Sequence, residues 1–135
     1  ELELECGRYD CLVPVPLHRV RRRERGFNQS ELLAREILPA FPNAVLDNSL
    51  ARLRPTYVQS RLQTERERRD SVRGAFGLVD GQSPKGKAVL LIDDVVTTGA
   101  TIQECATVLK KGGASVVDVL AAALAVPGSE VPESA

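Results

Sequence analysis

Apolar residues recur along this chain with two different periods. At 88–92 five of them follow one another, Ala88-Val89-Leu90-Leu91-Ile92, the pattern of a strand covered on both faces of a parallel sheet. From 100 to 111 the spacing becomes helical: Ile102, Cys105, Ala106 and Leu109 share a face, Lys110 and Lys111 occupy the last turn, and Gly112-Gly113 stops it. A further apolar stretch, rich in valine at its start, covers 116–126. Strand, loop, helix and strand in that order predict a βαβ unit, hence a parallel sheet with a right-handed crossover.

The first half of the chain is less regular. Leu12-Val13-Pro14-Val15-Pro16 is a short apolar run whose prolines restrict it to a strand that ends early or lies at an irregular position. Asn28 and Glu31 have capping-box spacing, Phe27 and Leu32 sit at the staple positions, and Leu33 and Ile37 fall on one face before Pro39, which predicts a helix over 29–38. Residues 45–50 read as a second strand, 75–79 as a short one, and 80–87, with Gly81, Pro84 and Gly86, as a turn region. Between them, 51–74 is polar, arginine-rich and weakly periodic. It predicts a long mobile excursion of the kind that serves as an active-site lid, with an exposed charged helix through 61–73 as the competing reading. Residues 127–135 are rich in proline, serine and glutamate and read as a disordered tail, leaving 1–126 as one domain.

Composition narrows the class. With 135 residues, 43% hydrophobic and 27% charged, the chain suffices for one core and is not a disordered sequence. No apolar run approaches the ~20 residues that cross a bilayer, and the amino end (Glu1, Glu3, Glu5) is acidic where a secretory signal is basic. A soluble, cytoplasmic protein with no membrane segment is expected. Its three cysteines read as reduced thiols. Cys6 and Cys11 lack two further ligands for zinc, and Cys105 lies on the apolar face of its helix. Methionine is absent even from the first position, so the chain reads as a piece of a longer one. Net charge is zero, which argues against non-specific coating of nucleic acid. Its distribution says more. All fourteen arginines lie between Arg8 and Arg73 and all four lysines later, with arginine clusters at 19–25 and 52–73. Such clusters suit a polyanionic ligand through bidentate contacts, or else form a solvated face.

The residues that carry chemistry lie between the buried strand and its helix: Asp93-Asp94-Val95-Val96-Thr97-Thr98-Gly99-Ala100-Thr101. In an open α/β sheet, ligands bind beyond the carboxyl ends of the strands. Amides turning into a helix amino terminus, with the hydroxyls of Thr97, Thr98 and Thr101, can cradle a phosphate, and Gly99 allows positive φ or close backbone approach. Two carboxylates facing that phosphate would repel it. They therefore face something else, and the economical answer is the hydroxyls of an attached sugar with a divalent cation nearby. A Walker-type site does not fit, because the chain has no Gly-Lys-Ser/Thr triplet and Gly86-Lys87 precedes a strand.

Val89-Leu90-Leu91-Ile92-Asp93-Asp94-Val95-Val96-Thr97-Thr98-Gly99-Ala100-Thr101 resembles the phosphoribosyl pyrophosphate (PRPP) motif of type I phosphoribosyltransferases. Val13-Pro14-Val15-Pro16-Leu17-His18, Arg25-Gly26-Phe27-Asn28-Gln29, and Thr56, Gln59 and Leu62 ahead of Arg73-Gly74-Ala75-Phe76 are similar to the ComF branch, named for bacterial competence proteins. The resemblance implies an α/β fold, a type I phosphoribosyltransferase-like parallel sheet flanked by helices with a mobile hood loop. It implies that Asp93 and Asp94 hold the ribose hydroxyls and act in catalysis, and that Thr97, Thr98, Gly99, Ala100 and Thr101 wrap the 5-phosphate. Pro16, Leu17, His18 and Arg19 match the pyrophosphate loop, often built with a non-proline cis peptide, with Arg25 adding counter-charge. Arg66, Arg68 and Arg69 of the hood would reach the diphosphate. Mg2+ bound with PRPP, on Asp93 and Asp94, is the implied cofactor. His18, the single histidine, either donates to the diphosphate or has no chemical role.

Longer ComF relatives often carry an amino-terminal cysteine-rich zinc module, and nothing here matches it. Nor is an acceptor pocket visible in the sequence, where Tyr57 and Phe27 are the stacking candidates but each reads first as a packing residue. Two functions stay open. One is an enzyme that transfers phosphoribose from PRPP to an unidentified nitrogenous acceptor and releases pyrophosphate. The other is a non-catalytic module that binds PRPP or a related phosphate and acts through partners in competence or DNA uptake. The expected partners are PRPP, the acceptor, a second copy of the chain in a homodimer, and a component of the competence machinery.

Overall fold

The computed structural model describes residues 5–17, 28–54, 64–96 and 99–124, and at 65, 68, 69, 71 and 124 only the backbone. Four parallel strands form the main sheet: β1 (Cys11–Pro14), β2 (Val45–Leu46), β5 (Ala88–Val96) and β6 (Val116–Leu124), in the order β2-β1-β5-β6. A hairpin of β3 (Leu50–Arg52) and β4 (Phe76–Leu78) forms a separate antiparallel pair. The helices are α1 (Gln29–Ile37), α2 (Glu65–Val72) and α3 (Ala100–Lys111).

Every residue of β1 and the first six of β5 are buried, and their alternation divides the core. Cys11, Val13, Val89 and Leu91 pack with Cys105 and Leu109 of α3 on one face; Leu12, Leu90 and Ile92 pack with Ala34 of α1 on the other. The continuous apolar run at 88–92 is the consequence of this two-sided cover, each large side chain in it stabilising the fold by roughly 1.5–3 kcal/mol. Leu50 and Phe76 of the hairpin join the α3 face. At the amino-terminal end of the sheet the Tyr9 hydroxyl donates to Asp118 at 2.6 Å, tying the approach to β1 to β6.

Several boundaries differ from the sequence reading. The single strand expected over 45–50 is two strands in two sheets, β2 and the start of β3, separated by a bend in which Asp47 Oδ1 accepts from Ser49 N at 2.7 Å. The excursion at 51–74 is ordered at both ends: β3 pairs with β4, and α2 takes up much of the charged-helix alternative, capped by Thr64 Oγ1 accepting from Glu67 N at 3.1 Å. Residues 55–63, with Thr56, Tyr57, Gln59 and Leu62, lie outside the described residues, as do Phe27 and the tail 127–135. Helix α1 ends at Ile37 and continues as a 3-10 turn, Leu38–Ala40, around Pro39. Asn28 caps the helix, its side-chain oxygen accepting from Ser30 N at 3.0 Å. Finally, β5 does not end at Ile92 but runs on through Val96, paired with β6.

Candidate functional site

The strand order sets the place of the site. From β1 the chain crosses to β2 on one side, and from β5 to β6 on the other, so the order reverses between β1 and β5, the position at which open α/β sheets leave a crevice. β1 stops at Pro14, opposite Ile92, and Val15 N donates the last ladder bond to Ile92 O at 2.8 Å. Among the described residues, β5 continues paired with β6 alone. The acidic pair therefore sits within a strand, on the edge that β1 has vacated, and not in a loop after it.

A cleft of about 180 Å³ opens there, walled by Val15, Pro16 and Leu17 after β1, Asn28 to Ser30 at the start of α1, Asp93 to Val96 of β5, Gly99 to Ile102 at the start of α3, and Arg52 of β3. It shares Pro16, Leu17, Asn28 and Arg52 with a second hollow of about 570 Å³ beside β3, walled also by Leu50, Leu53 and Asn48. The amino termini of α1 and α3 thus meet across the carboxyl end of β5. Their first-turn amides lack intrahelical acceptors, and each helix end carries partial positive charge. Gly99 caps α3 at φ +80°, where a side chain would be strained, and its carbonyl accepts from Gln103 N at 2.8 Å.

The two carboxylates are unequal. Asp93 is 8% exposed, whereas Asp94 is half-buried. Burial first, then the hydrogen bond and negative charge of Asp94, push the Asp93 carboxyl up from 3.8 to about 7, against the opposing effect of Ser30. Near neutral pH its protonated and ionised forms are therefore both present, and a cation or donor would favour the ionised one. Oxygen donors of this kind fit Mg2+, which binds through one or two carboxylates and retains water or substrate oxygens. Among the described residues no group of three or more acidic, histidine or cysteine side chains forms a cage, so Asp93 and Asp94 could supply only part of a coordination shell.

Of the residues expected here from sequence, Asp93, Asp94, Gly99, Ala100, Thr101, Pro16 and Leu17 line the one cleft. Thr97, Thr98, His18, Arg19 and Arg25 lie outside the described residues, as do the side chains of Arg68 and Arg69. The described residues contain no cis peptide bond. Arg66 is exposed on α2 and does not line the cleft. Among the described residues the arginine that does is Arg52, its guanidinium 4.7 Å from the Phe76 ring centroid. Sequence reasoning missed it because the cluster at 52–73 contains nothing local to single out one member. It also missed Ser30, whose buried hydroxyl lies 3.3 Å from Asp93 Oδ1. Cys11 and Cys105 are buried in the core, which raises both thiols, Cys11 to about 11.

Comparison with known proteins agrees with the fold. Residues 24–135 match the family described as phosphoribosyl transferase domain. The chain is 33% identical over 111 residues to Competence protein F of Haemophilus influenzae, covering 82% of this chain and 48% of that protein. Identity is 38% to DNA utilization protein YhgH of Salmonella typhi, with 82% and 47% covered, and 37% to Competence protein ComFC of Bacillus subtilis, with 78% and 41% covered. The chain therefore spans about half the length of the curated relatives it matches. Its fold is similar to that of the purine phosphoribosyltransferase from Pyrococcus horikoshii, with a TM-score of 0.50 over 95% of this chain and 82% of that one, at 14% identity. Among the described residues no helix is long and apolar enough to cross a membrane.

Proposed function

Because this chain belongs to the ComF family within the type I phosphoribosyltransferase superfamily, we propose that its cleft binds PRPP and transfers the phosphoribosyl group to a nitrogenous acceptor, releasing pyrophosphate. One observation carries the reading: Asp93 and Asp94, the first turn of α3 and Arg52 line a single cleft at the reversal point of the sheet.

On this reading the amides of Gly99, Ala100 and Thr101, joined by Thr97 and Thr98, receive the 5-phosphate. Asp94, with the more buried Asp93 behind it, accepts from the ribose hydroxyls. Pro16 and Leu17 begin the loop that faces the diphosphate, to which His18, Arg19 and Arg25 are assigned. Arg52 is the cation best placed to balance the leaving group, and Arg66, Arg68 and Arg69 are assigned a lesser share. The bond from ribose C1 to the diphosphate oxygen breaks with its electron pair on pyrophosphate. A nitrogen lone pair of the acceptor forms the new bond to C1, and the displaced N–H proton passes to solvent. The chain's own contribution is position and charge complementarity at a developing oxocarbenium and diphosphate. When bound with PRPP, Mg2+ would supply charge neutralisation, held in part by Asp93 and Asp94.

The relatives' names favour a second reading. They describe competence and DNA utilization, which suits a module that binds PRPP or a related phosphate and acts through partners in DNA uptake, without turnover. Calorimetric titration with PRPP and Mg2+, run beside a pyrophosphate-release screen over candidate bases, separates the two. Saturable binding with release supports transfer; saturable binding with none supports the module. The double substitution Asp93→Asn with Asp94→Asn should weaken Mg2+-dependent binding at least tenfold while leaving the circular dichroism spectrum intact. Equal affinity in the double variant would end the assignment.

A further inference from the structure

The parallel ladder between β1 and β5 stops one step short of where the backbone would carry it. After Val15 N bonds to Ile92 O at 2.8 Å, the next bond of a parallel ladder would run from Asp94 N to Val15 O. Neither group is used that way. Val15 O accepts from Asn28 Nδ2 at 3.0 Å, and Asp94 N donates to Ser30 Oγ at 3.3 Å. The Ser30 hydroxyl in turn donates to Asp93 Oδ1 at 3.3 Å, and Ser30 N donates to Asn28 Oδ1 at 3.0 Å. The first turn of α1 is thus wedged between two strands. An amide and a hydroxyl replace one ladder bond, and both side chains are buried, Asn28 6% and Ser30 3% exposed.

We infer that Ser30 is a positioning residue for the acidic pair: by accepting from the Asp94 amide and donating to the Asp93 carboxylate, it sets the backbone and rotamer with which both carboxylates meet the ribose. The inference rests on the reading under Proposed function for the ligand, but the wedge itself is a property of the protein alone. A hydroxyl suits the task because it donates and accepts through one atom. With alanine in its place the Asp94 amide would lose the acceptor it uses, and the Asp93 carboxylate would lose a bond that favours one rotamer. Asn28 supports the arrangement by holding Ser30 at the second position of α1 and anchoring that turn to the end of β1.

Two measurements on the full chain test this, one without ligand. In Ser30→Ala, NMR-detected hydrogen exchange at the Asp94 amide should quicken at least tenfold while Leu90 and Leu91 in the buried part of β5 keep their rates. Calorimetry should show Mg2+-PRPP binding weakened by about tenfold, as expected for a lost hydrogen bond to a charged group, with binding of pyrophosphate measured without Mg2+, which engages neither the ribose subsite nor the acidic pair, unchanged. Ser30→Thr, which keeps the hydroxyl, should restore both readouts toward the parent values. Unchanged exchange at Asp94, or a parallel loss of PRPP and pyrophosphate binding, overturns the positioning role. If the parent protein binds no PRPP while Ser30→Ala still speeds exchange at Asp94, the reading of the cleft fails, and the ribose role of Ser30 with it, although the wedge stands.

Discussion

Asp93 carries an electrostatic cost that its surroundings do not remove. Burial, then the neighbouring Asp94, raise its folded-state value to about 7, whereas in the unfolded chain it releases its proton near 3.8. Between those values the folded protein binds the extra proton, so the group's contribution to stability is fully present below about pH 4 and lost as pH rises through 7. Without divalent cations, Asp93→Asn should therefore match the parent near pH 4 and exceed it at pH 8 by a few kcal/mol at most. Urea denaturation of both proteins across that range checks the sign; a parent more stable than the variant at pH 8 would mean that the carboxylate is not penalised. A residue that is costly to ionise and placed in a cleft is what a cation-assisted or hydroxyl-binding site requires. Arg52 illustrates a different case, a cation whose guanidinium lies over the Phe76 ring, 24 positions away in sequence, at 4.7 Å from its centroid.

At the scale of elements, α1 does more than cover one face of the sheet. Asn28 caps the helix through Ser30 N and ties it to Val15 O. Asn28→Ala should cost about 1–3 kcal/mol, combining a lost cap with a buried carbonyl left without its donor; a loss below about 0.5 kcal/mol in urea denaturation would show that the tie is not made in solution. Helix α3 is fastened at both ends by glycine for different reasons. Gly99 supplies the positive φ that turns the chain into its first turn. Gly112 allows close approach, since a Cβ there would lie 2.8 Å from Leu78 Cδ1 and 3.0 Å from Pro84 Cγ. The carboxyl end of α3 is thereby packed against β4 and the turn before β5, while its amino end is held open to the cleft.

At the scale of the whole molecule, a ligand that spans the ends of β1, β5 and α3 binds only the folded chain, so it must raise stability by mass action. If the proposed function holds, PRPP with Mg2+ at a hundred times its Kd would add about 2.7 kcal/mol, which for 135 residues would raise Tm by on the order of 10 °C. Calorimetric melting should show this shift in the parent and lose it in the Asp93→Asn, Asp94→Asn double variant; a shift of equal size in both would place the ligand elsewhere. The sequence by itself determined the βαβ unit over 88–124, because a continuous apolar run, a helical period with a glycine stop and a second apolar run are local signals of two-sided burial. It likewise marked the acidic pair and the glycine-led turn, whose chemistry is written in adjacent residues. It read β5 as ending at Ile92 because carboxylates break the apolar pattern, although the backbone pairing with β6 does not depend on side-chain polarity. Only the tertiary structure decided that Arg52 lines the cleft and that Ser30 bonds to the acidic pair. Ser30 and Asp93 are separated by 63 positions, and Arg52 reaches the cleft from a second sheet. Such meetings follow from strand order and from where β1 ends, and no local periodicity records them.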